Sequence, residues 1–157
     1  MRCYQILALA ALAAPALAAE LDVKVYEGPT ECSDEEKVKS GDYLTMHYTG
    51  TIDETSETGE KGSKFDSSRD RGQTFDVQIG VGQVIPGWDK GIVGLCKGAK
   101  AVLVIPPEMG YGANGAGSTI PGGATVSFRS KNVLSQKSEF QSTFISPLRF
   151  LYIFPLA

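Results

Sequence analysis

Apolar and polar residues alternate along several parts of this chain, which is the period typical of β-strands with one buried face. Five segments show this alternation or a continuous apolar run rich in β-branched and aromatic residues, at residues 21–27, 43–52, 74–80, 100–106 and 124–128. The pattern therefore predicts five strands.

A single segment, residues 86–95, has the spacing of an amphipathic helix. Trp88, Ile92 and Leu95 recur at i, i+4 and i+7, and Pro86 stands where a first helical turn tolerates proline. One short helix cannot cover both faces of a sheet. We therefore predict an α+β domain, an antiparallel five-stranded β-sheet curled around one short α-helix, with Trp88 on the concave face as the floor of a pocket.

Residues 53–73 form a polar, glycine-punctuated stretch, which we interpret as a long surface excursion. Within it, residues 53–64 contain almost nothing apolar. We expect this part to be a mobile surface loop whose shortening leaves stability nearly unchanged.

The first 18 residues have the layout of a secretory signal peptide. Arg2 precedes an apolar run, and small residues at Ala16 and Ala18 form a cleavage site. The apolar run is too short for a membrane anchor, which needs about 20 residues. We expect cleavage after Ala18 and no membrane span.

Length and charge limit the remaining possibilities. The 157 residues suffice for one domain with a core, and the net charge of −3 argues against nucleic acid or an anionic membrane as partner. Cleavage would leave Cys32 and Cys96 in an oxidising compartment, where an even count favours a disulfide; two buried free thiols are the alternative. No metal site is expected, since two cysteines and the distant His47 make a poor zinc site.

Conventional catalytic sets are hard to assemble from this sequence. His47 lies within a predicted strand, and Glu108 has no evident carboxylate partner. The chain offers aromatic residues at strand ends and loop starts instead, which either fill an ordinary core or line a concave site.

Five motifs in order give a specific resemblance. "HYTG", "FDSSRDRG", "GQVIPGWDKGIVGLCKG", "LVIPPEMGYG" and "IPGGATVSF" resemble the FKBP-type peptidyl-prolyl cis-trans isomerases in order and spacing, over about residues 41–128. The resemblance implies catalysis of X–Pro isomerisation without a cofactor. The cysteine motifs are similar to those of the secreted, endoplasmic-reticulum branch, which implies a disulfide between Cys32 and Cys96.

The resemblance also assigns roles to individual side chains. It implies that Trp88 is the floor of the proline pocket, that Asp66 lies beside Tyr48 and pairs with Arg71, and that Ile120 comes from an overhanging loop. The Ile85 N–H and the Tyr111 hydroxyl would bind substrate carbonyls. The implied walls are Tyr48, Phe75, Val84, Ile85 and Phe128, with Phe65 and Tyr111 at the rim.

The implied partners are proline-containing polypeptides and macrolide inhibitors of the tacrolimus or rapamycin type. We expect a monomer, in the endoplasmic-reticulum lumen or secreted. A proline-binding chaperone module with little turnover, and an inactive product with a disrupted last strand, are the alternatives to an active isomerase.

The C-terminal part departs from the family pattern. After Phe128 the alternation would place Ser130 and Asn132 at inward positions, unless a bulge brings Val133 and Leu134 inward. We therefore expect an N-terminal strand and disulfide-bearing segment at residues 19–40, an isomerase domain at 41–130, and a divergent, poorly ordered tail at 131–157.

Overall fold

The computed structural model of the protein describes residues 20–136, so the predicted signal peptide and the chain from residue 137 onward lie outside the described residues. Six strands, one α-helix and one 3-10 turn make up this part. In chain order they are β1 (Asp22–Glu27), β2 (Tyr43–Ile52), β3 (Lys64–Ser67), β4 (Phe75–Gln78), α1 (Pro86–Ile92), β5 (Lys100–Ile105), the 3-10 turn Pro107–Met109, and β6 (Val126–Gln136).

All the strand pairings are antiparallel. The strands follow the order β1-β5-β6-β2-β3, and β4 also pairs with β2. The predicted fold class, an antiparallel sheet with one short helix, is confirmed, with six strands instead of five. The additional strand, β3, lies in the segment that we had interpreted as a surface excursion, and it pairs with residues 49–51 of β2.

Helix α1 is shorter than predicted. It ends at Ile92 because Val93 is already extended and Gly94 has a φ of +92°, a left-handed conformation that suits glycine. Trp88 and Ile92 are buried, as the amphipathic pattern requires, whereas Leu95 lies beyond the helix and is partly buried against the core.

Two glycines let α1 approach the sheet closely. A Cβ atom at Gly87 would lie 2.4 Å from Ile105 Cγ2, and one at Gly91 would lie 2.9 Å from Leu103 Cδ2. Both glycines are on the face of the helix that contacts β5. The helix therefore sits deep in the concave face, which brings Trp88 among the inward side chains of the sheet.

The segment 53–64 is anchored to a neighbouring loop. Ser56 is buried, and its hydroxyl accepts a hydrogen bond from the Thr125 amide at 3.0 Å and donates one to the Thr58 carbonyl at 2.7 Å. The Thr58 hydroxyl donates to the Gly122 carbonyl at 3.0 Å. The predicted mobility of this segment stays a prediction, but at Ser56 and Thr58 short polar side chains attach it to a neighbouring loop through hydrogen bonds that hydropathy does not register.

Strand β6 continues six residues past Ser130, so the domain boundary expected at residue 130 falls within this strand. Ser130 points inward and is 2% exposed, as the alternation predicts. Its hydroxyl accepts a hydrogen bond from the Ala101 amide at 3.3 Å and donates one to the Ala101 carbonyl at 3.2 Å. The inward serine is therefore a satisfied polar group that connects β6 to β5.

A bulge follows Ser130. His47 of β2 pairs with Lys131, and Thr45 pairs with Leu134, so two steps along β2 correspond to three along β6. The extra residue is a bulge in the part of the strand where the sequence allowed one as an alternative to regular alternation.

A disulfide joins Cys32 to Cys96, with 5.9 Å between their Cα atoms. It connects the segment before β2 to the chain just after α1, and backbone hydrogen bonds between Val38 and both Leu95 and Gly94 reinforce the connection. The predicted pairing of the two cysteines is confirmed. No helix within residues 20–136 is long and apolar enough to cross a membrane.

Candidate functional site

The aromatic side chains of four different elements meet at Trp88. The ring centroids of Tyr48, Phe75 and Phe128 lie 5.2, 5.8 and 5.1 Å from the indole, and all three contacts are close to perpendicular. Edge-to-face contacts of this kind bring the positive ring edge of one aromatic against the negative face of another. The cluster is therefore held in a defined arrangement.

Each ring reaches the cluster because of its position in an element. Tyr48 is an inward residue in the middle of β2, Phe75 begins β4, and Phe128 is the third residue of β6. Trp88 is the third residue of α1 and is only 4% exposed. The site thus depends on the sheet closing over the helix.

Beside this cluster lies an open cavity of about 430 Å³. Apolar and aromatic side chains dominate its lining, which is the composition usual for sites that bind small or extended apolar groups. The lining residues are Tyr48, Asp66, Phe75, Gln83, Val84, Ile85, Trp88, Tyr111 and Phe128.

Three residues that the resemblance placed at the site do not line this cavity. Phe65 packs edge-to-face on Phe128 and Tyr111, with centroid distances of 5.5 and 6.2 Å. Ile120 is 5% exposed and belongs to the buried core. Arg71 is exposed and ion-paired with Asp66, so it contacts the cavity lining from outside.

A polar cluster of Tyr48, Asp66 and Arg71 lies at the edge of the cavity. The Tyr48 hydroxyl and the Arg71 guanidinium both donate hydrogen bonds to the Asp66 carboxylate, and Arg71 Nη2 donates to the Tyr48 hydroxyl oxygen at 3.0 Å. The predicted pairing of Asp66 with Arg71, beside Tyr48, is present.

These contacts determine the ionisation of the cluster. Burial by itself would raise the pKa of Asp66, but the hydrogen bonds from Tyr48 and Arg71 and the charge of Arg71 lower that pKa below its usual value. The pKa of Tyr48 is raised, mainly by burial and then by its hydrogen bond to Asp66. Burial also raises the pKa of Tyr111. At neutral pH the cavity therefore presents a carboxylate and two neutral phenols.

Gln83 and Asp89 contribute to the site and were absent from the sequence prediction. Gln83 lines the cavity. Asp89 accepts hydrogen bonds from the Gly80 amide at 2.7 Å and the Gly82 amide at 2.8 Å, so it fixes the turn that leads to Gln83 and Val84. Both glycines have positive φ. The sequence signal that could have revealed Asp89 is an acidic residue in the first turn of the helix, next to a glycine-rich loop.

Several donors at the cavity have no partner within residues 20–136. Trp88 Nε1 is buried there without a hydrogen bond. Neither the Ile85 amide nor the Tyr111 hydroxyl makes a hydrogen bond to this part of the chain. Trp88 Nε1 has almost no accessible surface, so the donors open to a ligand at this cavity are the Ile85 amide and the Tyr111 hydroxyl.

The described part of the chain provides no conventional catalytic set near this cavity. His47 Nδ1 is within 3.0 Å of the Ser68 hydroxyl, on the other face of β2. No group of three or more His, Cys, Asp or Glu side chains within residues 20–136 could hold a metal ion.

Comparison with known proteins identifies the family. Residues 34–131 match the FKBP-type peptidyl-prolyl cis-trans isomerase family. The chain is 49% identical over 124 residues to FK506-binding protein 2 of Dictyostelium discoideum, which covers 78% of this chain and 86% of that protein. It is 51% identical over 92 residues to the human peptidyl-prolyl cis-trans isomerase FKBP2, covering 59% of this chain and 60% of the human protein.

Two further relatives define the extent of the similarity. FK506-binding protein 2B of Rhizopus delemar is 49% identical over 120 residues, or 76% of this chain, and the chain spans only 54% of that protein's length. The crystal structure of AtFKBP13 matches with a TM-score of 0.56 and 36% identity, covering 74% of this chain and 91% of that one. With the family match extending over more than half of its residues, the chain belongs to the FKBP-type peptidyl-prolyl cis-trans isomerases.

Proposed function

We propose that this protein accelerates cis–trans isomerisation of X–Pro peptide bonds in polypeptides of the secretory pathway, and that the Trp88 cavity is the site. The observation that carries the proposal is the cavity itself. Perpendicular aromatic rings and one polar cluster border it, and the Ile85 amide and Tyr111 hydroxyl beside it have no partner in the described chain.

The chemistry needs an apolar environment more than it needs a base. Rotation about an X–Pro bond breaks the C–N resonance of the amide, with a barrier of about 20 kcal/mol. The twisted amide has less charge separation than the planar one, so an apolar, water-poor pocket binds it better than water does. A preference of about 5–7 kcal/mol gives roughly 10⁴- to 10⁵-fold acceleration.

Roles follow from position in this cavity. The Trp88 indole forms the floor beneath the pyrrolidine ring, and Tyr48, Phe75, Val84 and Phe128 form its walls. The Ile85 amide and the Tyr111 hydroxyl donate to substrate carbonyls on either side of the bond. Asp66 and Arg71 hold the Tyr48 ring, and Phe65 supports Phe128 and Tyr111 from behind.

Ligands of the tacrolimus and rapamycin type are expected at the same cavity. Two relatives are named for binding FK506, and the cavity offers the same apolar floor and free donors to a macrolide as to a proline. The signal-like N-terminus and the disulfide support residence in the endoplasmic-reticulum lumen or secretion. We expect a monomer.

A proline-binding module with the same cavity but little turnover is the second candidate. The test is isomerase activity of the purified chain on a short X–Pro peptide, with and without rapamycin. Rapamycin-sensitive acceleration is the result we expect, whereas saturable peptide binding without acceleration would identify a binding module.

The variant Trp88→Ala tests the assignment of the cavity. We expect rapamycin affinity to fall by about 3–5 kcal/mol, the cost of deleting a large buried aromatic where the space cannot collapse. Trp88→Phe, which keeps an aromatic floor, should give an intermediate affinity and a folded protein. Val93→Ala is the matched control, because Val93 directly follows α1, is 37% exposed and does not line the cavity. Unchanged affinity in both Trp88 variants would contradict the assignment.

A further inference from the structure

A second concavity, of about 370 Å³, lies on the opposite face of the sheet from Trp88. Apart from Tyr48, which also lines the Trp88 cavity, its strand residues are outward residues of β2, β5 and β6, which alternate with the inward ones that make the core. Its polar lining includes His47, Thr49, Thr51, Arg69, Arg129 and Lys131. We call this concavity the basic groove.

The register of β2 and β6 builds the basic groove. His47 is directly opposite Lys131, and Thr49 is opposite Arg129. An imidazole and a hydroxyl on β2 are therefore each paired in register with a cation on β6. Arg69 comes from the loop that follows β3 and completes the cationic set. The groove therefore presents three cations from two separate parts of the fold.

These cations have no acidic partners. The ion pairs within residues 20–136 use five other cations, at positions 24, 37, 64, 71 and 100, and no acidic side chain lines the groove. The Glu27 carboxylate interacts electrostatically with Arg129 and Lys131, but it is ion-paired with Lys100. The whole chain has a net charge of −3, whereas these three unpaired cations give the groove a positive charge.

Arg129 is also held in place. Its guanidinium lies over the Tyr26 ring, 4.1 Å from the centroid, and the Tyr26 hydroxyl donates to the Ser130 carbonyl at 3.1 Å. Stacking on an aromatic ring leaves the in-plane N–H groups of an arginine free to bind a carboxylate with two parallel hydrogen bonds. The cation is thus oriented before any ligand arrives.

We propose that the basic groove binds a carboxylate-rich segment of the same polypeptides whose X–Pro bonds enter the Trp88 cavity. Guanidinium, ammonium and hydroxyl donors in one groove match carboxylates, and Val102 contributes an apolar wall for the chain that carries them. The polypeptide nature of the ligand rests on the function proposed above.

The two sites meet at one loop. Arg71 pairs with Asp66 at the cavity, and Arg69, two residues earlier, lines the groove. An extended chain advances about 3.3 Å per residue, so a spacer of roughly four to six residues spans the thickness of a sheet. A client with an acidic stretch at that distance from its proline could occupy both sites.

Direct binding is tested with a fluorescein-labelled hexaglutamate peptide, which contains no proline, and its hexaglutamine counterpart. We expect anisotropy to show saturable binding of hexaglutamate alone, weakened as ionic strength rises to about 0.15 M. Arg69→Glu combined with Lys131→Glu should weaken it at least tenfold. Lys39→Glu combined with Lys61→Glu makes the same charge change away from the groove, and should change affinity less than twofold.

Several outcomes would overturn the proposal. Equal loss in both double variants would show a general charge effect. Displacement of hexaglutamate by saturating rapamycin would place its binding at the Trp88 cavity. Absence of hexaglutamate binding, with tight binding of a sulfated heparin oligosaccharide that the groove variant loses, would assign the groove to glycans.

Catalysis provides a second readout that separates this proposal from the first. A substrate with four glutamates about five residues from its proline should have a several-fold higher kcat/KM than the glutamine version. The groove variant should abolish that difference and leave turnover of a short neutral peptide unchanged. Hexaglutamate binding in a chain without isomerase activity would contradict the isomerase function and preserve the groove as an anion site.

Discussion

Opposing effects act on the pKa of the Asp66 carboxyl group. Partial burial favours its neutral form, whereas Tyr48 and Arg71 favour the carboxylate, and the latter effect wins. Because its folded pKa lies below the usual value, the stabilisation that the carboxylate provides is complete above the unfolded pKa of about 3.9 and is lost as pH falls through the folded pKa.

A pH titration of rapamycin binding tests this behaviour. We expect constant affinity from about pH 7.5 to 4.5 and a decline only below about pH 4, when Asp66 is protonated and releases Tyr48 and Arg71. In Asp66→Asn this acid-side decline should be absent. Asp76→Asn removes an exposed carboxylate of β4 outside the cavity and should titrate like the parent. A midpoint above the usual carboxylate value of about 3.9 in the parent protein would contradict the lowered pKa.

Residue-level prediction from sequence succeeded for large side chains and failed for small polar ones. Trp88, Tyr48 and Phe128 could be found because their motifs are specific and their bulk must be buried. Gln83 accepts a hydrogen bond from the Gln78 amide at the end of β4, and Asp89 accepts hydrogen bonds from the turn that follows, which no hydropathy pattern encodes. For the same reason, the sequence did not predict that the buried Ser130 hydroxyl is hydrogen-bonded to Ala101.

At the scale of elements, the contact between α1 and the preceding turn determines one wall of the cavity. Among the hydrogen bonds of residues 20–136, Asp89 provides the only side-chain connection between the helix and this turn. Its carboxylate accepts hydrogen bonds from the Gly80 and Gly82 amides. The wall residues Gln83 and Val84 lie along the chain between Gly82 and Asp89, which the second of these hydrogen bonds joins. The helix therefore positions the wall as well as the floor.

Removing that link should loosen the wall. For Asp89→Ala we expect a loss of about 1.5–3 kcal/mol in stability, the usual worth of hydrogen bonds to a charged group, and weaker rapamycin binding. Urea denaturation and a binding titration measure the two effects. Lys90→Ala, on the next and exposed position of the helix, is the control and should leave both unchanged.

Strand β6 makes the second prediction at this scale. Ser130→Ala leaves the Ala101 amide and carbonyl without the hydroxyl that now pairs them, so we expect destabilisation of about 1–3 kcal/mol. For a domain of this size the melting temperature should fall by roughly 4 °C per kcal/mol. Ser127→Ala, at an outward position of the same strand, is the control and should have little effect on the melting temperature. A higher melting temperature in Ser130→Ala would show that the Ser130 hydroxyl destabilises the fold.

The sheet within residues 20–136 was largely predictable because five of its six strands carry a clear apolar pattern. The missed strand β3 has only four residues within a polar, glycine-rich segment, and it is recognisable only through its pairing with β2. The end of α1 was misplaced because Gly94 breaks the helix before the apolar spacing stops. The expectation of a divergent tail stays a prediction for residues beyond 136.

The disulfide acts at this scale as well. Closing a loop across a sequence separation of 64 contributes about 4 kcal/mol in the chain-entropy model. We expect Cys32→Ser combined with Cys96→Ser to lower the unfolding free energy by about that amount in urea titrations. A reducing agent should destabilise the parent protein and leave the double variant unaffected; equal sensitivity in both would contradict a structural role for the bridge.

The position of β6 has a consequence for how the protein is made. The last described strand lies between β5 and β2, so every earlier strand emerges from the ribosome before the one that joins them. Until residues 126–136 have appeared, β1 and β5 form one separate fragment of sheet and β2, β3 and β4 another, with the concave surface open to solvent. A chain of this topology therefore cannot close its sheet until β6 is available, and until then its apolar surfaces and unpaired strand edges are exposed to aggregation.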